Sequence, residues 1–405
     1  LIITEFVDPL HFSGLSTEPN YLTKHGYDER SVLFYSRTKQ LNALWKKSDV
    51  SKNKPTHLNP AQFPNAPDTL KVQIKLFRFL SKEILNGSMS ILALRRDLDL
   101  FATYKDLAAL FSFLPIKGHL YNVLPNGKVA TRFDSGLVTG VCRKFGVKSY
   151  SYQSRVMYRH NVYYHFNAFD VFFFWGSDWV EVYKEDQFIK HFETIGNVTV
   201  DPKTNIIPKD AASKPEGFET IVIFTSDIDK TYPLHYTEDY TKKFLTACFT
   251  AIGEVQKING NSFRVFIKFK EQQHKIWFTN ESILKSLAES HNVNVVLDGS
   301  KKHDIDSSIV KADKIISIGF TTPGFDALCY GKSSIFFSPY KGIYNKIFNE
   351  DSSLVASTIE ELMKFLSTGL KDHNLALKKD TVLGFRQANS AGERMGRYIE
   401  NDLND

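Results

Sequence analysis

The chain has 405 residues, a formal net charge of +6, and 42% hydrophobic and 24% charged side chains. That length exceeds one ordinary domain and predicts two of roughly 200 residues each, and the composition excludes a disordered or fibrous chain. The basic residues are scattered without a dense run, which argues against nucleic acid and leaves an anionic ligand or an anionic membrane face; no apolar run approaches the about 20 residues of a spanning helix.

In the first half, apolar runs bounded by turn residues predict strands over 2–6, 31–35, 90–94, 120–123, 148–153, 171–175 and 192–195. Helical periodicity covers 70–86 and 135–145, and 36–70 reads as an irregular insertion. Residues 197–219 hold prolines and small polar residues without periodicity and read as a linker. Beyond it, strands are predicted over 220–224, 263–269, 293–297, 314–318, 334–337 and 354–356, with helices over 237–256, 281–289, 307–312 and 324–330. Thr237 is placed as an N-cap, and Ser357 through Glu360 reads as a capping box opening a further helix. Strands alternating with helices at this spacing predict α/β architecture: two Rossmann-like doubly wound domains, with parallel sheets covered on both faces. The expected division is 1–200, 217–383, and a C-terminal helix over 384–405 crossing back to the first domain.

Cys142, Cys248 and Cys329 are far apart in apolar settings. They predict buried thiols in a reducing compartment rather than disulfides or zinc ligands. The first residues lack the charged and apolar regions of a secretion signal, so a cytoplasmic location is expected.

In doubly wound sheets, ligands bind beyond the carboxyl ends of the strands. After 314–318 comes "GFTTPG", where Thr321 and Thr322 supply hydroxyls, Gly319 and Gly324 permit close backbone approach, and a helix N-terminus follows. This combination holds phosphate, although a plain βα turn with a threonine cap has the same letters. After 263–269 come Lys268, Lys270 and His274. A lysine in a buried strand needs a partner: a ligand anion, Glu271, or water at a sheet edge. After the strand over 220–224 comes "TSDID", where Asp227 or Asp229 is a candidate nucleophile or base and also a candidate loop cap. Asp134, opening a predicted helix, is a fallback acid. Gln153, Arg155, Tyr158, Arg159 and His160 gather polar and cationic groups after the strand over 148–153, as an anionic or sugar substrate needs and as a charged surface loop also shows. No Walker A, GxGxxG, HExxH, CxxC or GxSxG pattern is present, and the two DxD matches at 227–229 and 304–306 are weak.

The segment "ADKIISIGFTTPGFDALCYGKSSIFF" over 312–337 resembles the donor-phosphate segment of GT-B glycosyltransferases, with Asp326-Ala327 where many members carry Glu-Ala. The resemblance implies two Rossmann-like domains facing across a cleft, with nucleotide sugar on the second and a glycan acceptor on the first. Donor groups would be Lys268, Lys270, His274, Gly319, Thr321, Thr322, Gly324 and Asp326; acceptor groups would be Gln153, Arg155, Arg159 and His160. Within that class, Thr321-Thr322 and the 268–274 loop are similar to enzymes using CMP-activated ulosonic acids, such as bacterial β-Kdo transferases of O-antigen and capsule synthesis. That resemblance implies a retaining reaction through Asp227 or Asp229, no metal or cofactor beyond the CMP-linked donor, and a lipid-linked acceptor. It also implies peripheral contact with the cytoplasmic face of the inner membrane and a place as one module of a larger synthase. A UDP- or GDP-hexose transferase, a nucleotide-sugar epimerase and a non-catalytic sugar-binding protein are the alternatives.

Overall fold

Seven short runs rich in aromatic and β-branched side chains build the first sheet: β1 (Ile2–Glu5), β2 (Val32–Tyr35), β3 (Thr56–Leu58), β4 (Gly118–Asn122), β5 (Lys148–Tyr152), β6 (Val171–Phe174) and β7 (His191–Thr194). Every pairing is parallel and the order is β3-β2-β1-β4-β5-β6-β7. The computed structural model describes residues 2–5, 32–35, 56–58, 63–66, 69–85, 91–122, 134–153, 167–186, 188–198, 218–225, 237–260, 262–269, 281–297, 305–319, 321–339, 354–370, 383–384 and 391–405. The chain forms two compact units: Leu1–Trp175 with Val180–Val198 and Ala388–Asp405, and Gly176–Trp179 with Thr199–Gln387.

In the first unit, α1 (Thr69–Leu85), α2 (Ile91–Phe113) and α3 (Asp134–Lys144) join the strands, and α4 (Ser177–Tyr183) is divided, with Ser177–Trp179 grouped in the second unit and the rest in the first. Of the strand expected over 90–94, residues 91–94 belong instead to α2, and Ser90 lies outside the described residues. A short apolar run does not distinguish strand from helix. Here the run continues through 23 residues with no Gly or Pro, rich in the strong helix formers Leu and Ala, and length decides. The insertion expected over 36–70 contains β3. Leu107, Leu110 and Phe111 of α2 pack on Val138, Val141 and Cys142 of α3. All four residues of β6 are buried, as a central parallel strand covered on both faces requires.

The last helix, α10 (Ala391–Asn404), lies on this same unit. Its Met395 and Ile399 join Tyr150, Tyr152, Val171 and Phe173 in one apolar cluster, and Tyr398 meets Phe173 edge-on at 5.4 Å. The Tyr150 hydroxyl donates to Asp402 Oδ2 at 2.6 Å and Lys148 Nζ to Oδ1 at 2.8 Å. Burial, followed by the bond to Asp402, drives the Tyr150 phenol far above the ordinary tyrosine pKa. Arg394 donates to the Ile195 carbonyl at 2.8 Å. Because the apolar face supplies most of the attachment, Asp402→Ala is expected to cost only about 1–2 kcal/mol by urea denaturation. A loss matching that of deleting the whole helix would show that the polar contacts carry the attachment instead.

The second unit holds β8 (Glu219–Phe224), β9 (Phe263–Lys268), β10 (Val295–Leu297), β11 (Lys314–Ile318), β12 (Ser333–Phe337) and β13 (Val355–Ala356). They too are all parallel, in the order β10-β9-β8-β11-β12-β13. The helices are α5 (Glu238–Asn259), α6 (Glu281–Glu289), α7 (Ile305–Lys311), α8 (Thr322–Cys329) and α9 (Ile359–Thr368). Side chains of the strands alternate between two cores. Ile221, Ile223, Ile316 and Ile318 face the helix residues Phe244, Cys248, Ile252 and Phe365. Val222, Phe224 and Ile315 face Ile309 and Ala327. Thr237 caps α5 by accepting from the Tyr240 N–H at 3.1 Å, as the sequence predicts. The cap of α9 sits one residue later than expected. Thr358 accepts from Glu361 N–H, and the Glu361 carboxylate reaches back to the Ser357 N–H at 2.7 Å. The three cysteines are free and buried.

Candidate functional site

Strand order places the site. In chain order the second sheet runs third, second, first, fourth, fifth, sixth, so the direction of winding reverses between β8 and β11. Loops leaving neighbouring strands at such a reversal diverge to opposite faces and open a crevice at the carboxyl ends. Phe224 pairs with both Lys268 and Ser317, and Ile318 pairs with Phe337. Thr225, Lys268 and Gly319 therefore end three adjacent strands along one edge.

Thr225 is tied into that edge: its N–H donates to the Lys268 carbonyl at 3.1 Å. Thr225 is 7% and Lys268 5% exposed. Gly319 adopts φ +56, the left-handed region that favours glycine, and donates its N–H to the Phe337 carbonyl at 3.1 Å. This bend ends β11 and turns the chain into α8. Thr321 is the N-cap of α8, extended at φ −113 and ψ 148, but its side chain makes no capping bond. Its buried Oγ1 has no hydrogen-bond partner, and neither does the buried Oγ of Ser317, two residues before the bend at Gly319.

The helix begins at Thr322, two residues before the expected start. As a result the Gly324 N–H already donates to the Thr321 carbonyl at 3.1 Å, and Pro323 has no N–H to give. What this turn offers an anion is therefore hydroxyls and the positive end of the helix rather than a full set of free amides. Gly324 makes its close approach to the chain itself. A Cβ there would lie 2.4 Å from Phe336 Cε1 and 2.8 Å from Ser317 Oγ. Its missing side chain lets α8 rest on β11 and β12. Asp326 is 9% exposed in the same helix.

In the first unit, Gln153 follows β5 and is 2% exposed. Its Oε1 accepts from the Trp175 N–H at 3.1 Å, and its carbonyl accepts from the Trp175 indole at 2.7 Å. The Gln153 Nε2 is buried without a hydrogen-bond partner. Asp134 is the first residue of α3. Asp227, Asp229, Lys270, His274, Arg155, Tyr158, Arg159 and His160 lie outside the described residues. The structure thus brings Lys268, Gly319, Thr321, Thr322, Gly324 and Asp326 together in one unit and places Gln153 and Asp134 in the other.

Two groups escaped the sequence reading. Ser317 interrupts an isoleucine run inside a fully buried strand, a polar intrusion that was a usable signal. Ser338, just past β12, accepts from the Tyr240 hydroxyl at 3.1 Å, and no local pattern announced that contact across 98 residues.

A family model for polysaccharide biosynthesis PFTS motif proteins matches residues 151–366, more than half of the chain. The chain belongs to this family. The four letters PFTS do not occur in it, but two near matches do: "IFTS" over 223–226 and "GFTT" over 319–322. They end β8 and β11, the two strands that flank the reversal in this PFTS family member. No curated protein matches the sequence. Among solved structures, MurG of Acinetobacter baumannii is similar at 12% identity and TM-score 0.51, covering 99% of each chain. HepE of Anabaena in complex with UDP and glucose has 10% identity and TM-score 0.51, covering 100% of this chain and 99% of its own. The UDP-GlcNAc 2-epimerase of Neisseria meningitidis bound to UDP-GlcNAc has 11% identity and TM-score 0.50, covering 99% and 98%. At these identities the likeness shows the fold: two Rossmann-like α/β units of the GT-B kind.

Proposed function

We propose that this protein is a glycosyltransferase of polysaccharide synthesis that holds the phosphate of a nucleotide sugar at the β8/β11 reversal. The observation that carries the reading is the meeting of Thr225, Lys268 and the unpartnered Thr321 hydroxyl at one strand edge, beside the N-terminus of α8. Family membership and the fold support the same reading. Thr321 and Thr322 donate to the phosphate, Lys268, Lys270 and His274 offset its charge, and Asp326 contributes a polar contact from α8.

The donor we assign is a CMP-linked ulosonic acid such as Kdo, on the resemblance of the Thr-Thr turn. Asp227 or Asp229, both following β8 in the sequence, attacks the anomeric carbon as the bond to the CMP phosphate breaks, giving a glycosyl ester. An acceptor glycan hydroxyl then displaces the carboxylate and surrenders its proton to a base, with net retention. Gln153, Arg155, Arg159 and His160 bind the acceptor in this scheme. A UDP-hexose donor is the second reading, favoured by the UDP bound to HepE, which has a similar fold.

Melting temperature measured with CMP, UDP and GDP separates these readings, because a ligand that binds only the folded state raises it. A shift with CMP alone is expected, reduced at least about tenfold in apparent affinity by Thr321→Val with Thr322→Val. A shift with UDP alone keeps the site and changes the donor. No shift with any nucleotide removes the phosphate reading.

A further inference from the structure

The described surface of α1 carries an apolar stripe that the core does not use. Leu70 is 65%, Ile74 44% and Phe77 71% exposed. At about 100° per residue these three fall within one arc of roughly 60°, on the same side of the helix. Val72 and Leu76 are half-buried on a different side, and Thr69 is buried there too. The buried face of α1 is therefore satisfied without the stripe.

Immediately beside the stripe lies a second arc made only of cations: Lys71, Lys75, Arg78 and Lys82, at spacings of four, three and four residues. No acid occurs among the residues of the two arcs. Solvated helix faces ordinarily mix both signs, and single exposed hydrophobic residues need no explanation, but three in register beside four cations do.

We infer that α1 lies on an anionic lipid surface, inserting Leu70, Ile74 and Phe77 into the interface while Lys71, Lys75, Arg78 and Lys82 meet the headgroups. Apolar insertion next to a row of cations is the pattern of helices that lie in a membrane plane. Among the described residues no helix is long and apolar enough to cross a membrane, so the contact is with the surface. A protein partner fits less well. A protein partner anchors through side chains seated in pockets, whereas a fluid lipid surface takes an exposed apolar stripe directly. This inference is independent of the nucleotide site, and its test reads no nucleotide.

The test is co-sedimentation of the whole chain with vesicles of phosphatidylglycerol and phosphatidylethanolamine, and with phosphatidylcholine vesicles. We expect binding to the anionic vesicles that weakens with salt. We expect at least about a tenfold loss of partitioning in Leu70→Ser/Ile74→Ser/Phe77→Ser and in Lys75→Glu/Arg78→Glu/Lys82→Glu. The second variant changes only exposed charges, so it keeps the test valid if the first fails to fold; melting temperature checks both. Absence of binding to anionic vesicles overturns the inference, as does equal binding by the folded variants. Dimerisation in sedimentation velocity that the apolar variant abolishes also overturns it, assigning the stripe to a second copy of this chain.

Discussion

Gly324→Val is expected to unfold α8 from its sheet and to remove nucleotide binding with it. A Cβ at 324 meets Phe336 Cε1 at 2.4 Å and Ser317 Oγ at 2.8 Å, and both neighbours are buried in strands that have parallel partners on each side. Phe336 also packs against Phe325, the rings tilted by 38° with centroids 4.5 Å apart, so it cannot swing away without opening the core beneath the helix. Overpacking of this kind costs about 1–3 kcal/mol, and the two further valine methyls push the cost toward the upper end. The helix has little means of absorbing it, since only eight residues hold it to the sheet. Displacing α8 moves Thr321 and Thr322, so nucleotide affinity is expected to fall by more than tenfold even where the chain stays folded. Urea denaturation and calorimetric titration read the two effects separately. Full nucleotide affinity in a destabilised Gly324→Val protein would place the ligand away from this helix.

Alternation of strands and helices was legible because the physics is local. The second unit's central strands β8 and β11 are mainly apolar runs buried on both faces, and α5 carries Phe244, Leu245, Cys248, Ile252 and Val255 on one stripe, all buried. The strand expected over 90–94 was misread because four apolar letters after Ser90 satisfy either period, and what decided was the unbroken length of α2 beyond them. The "GFTTPG" turn was visible as strand, glycine, hydroxyls and helix. The role of Gly324 was not, since nothing local distinguishes a glycine that admits a ligand from one that admits Phe336. Ser317 gained its meaning only from register with Phe224 and Phe336. The reversal between β8 and β11 depends on strand order, which no single segment encodes.

Asp170→Ala is expected to be the most damaging substitution in the first unit. Asp170 precedes β6 and is 8% exposed. Its Oδ2 accepts from the Ser149 N–H at 3.0 Å and from the Ser149 hydroxyl at 2.8 Å, while Lys190 Nζ lies 2.7 Å from Oδ1 and Arg143 Nε 3.5 Å from it. Alanine leaves a buried amide and hydroxyl without an acceptor and two cations without their anion, a loss of about 3–5 kcal/mol. Burial alone would raise the Asp170 pKa; the Lys190 ammonium and the two Ser149 donors outweigh it and hold the carboxyl below the usual carboxylate range. A depressed folded pKa gives stability that is complete above the unfolded value, near 4, and is lost as pH falls through the folded value. The stability gap between the natural protein and Asp170→Asn is therefore expected to be constant above about pH 5 and to close as the pH falls below the unfolded value, read from urea curves at each pH. The asparagine preserves the acceptor facing Ser149 but not the charge facing Lys190. A gap that stays open in acid would mean that shape and hydrogen bonding at this strand start matter, and the ion pair does not.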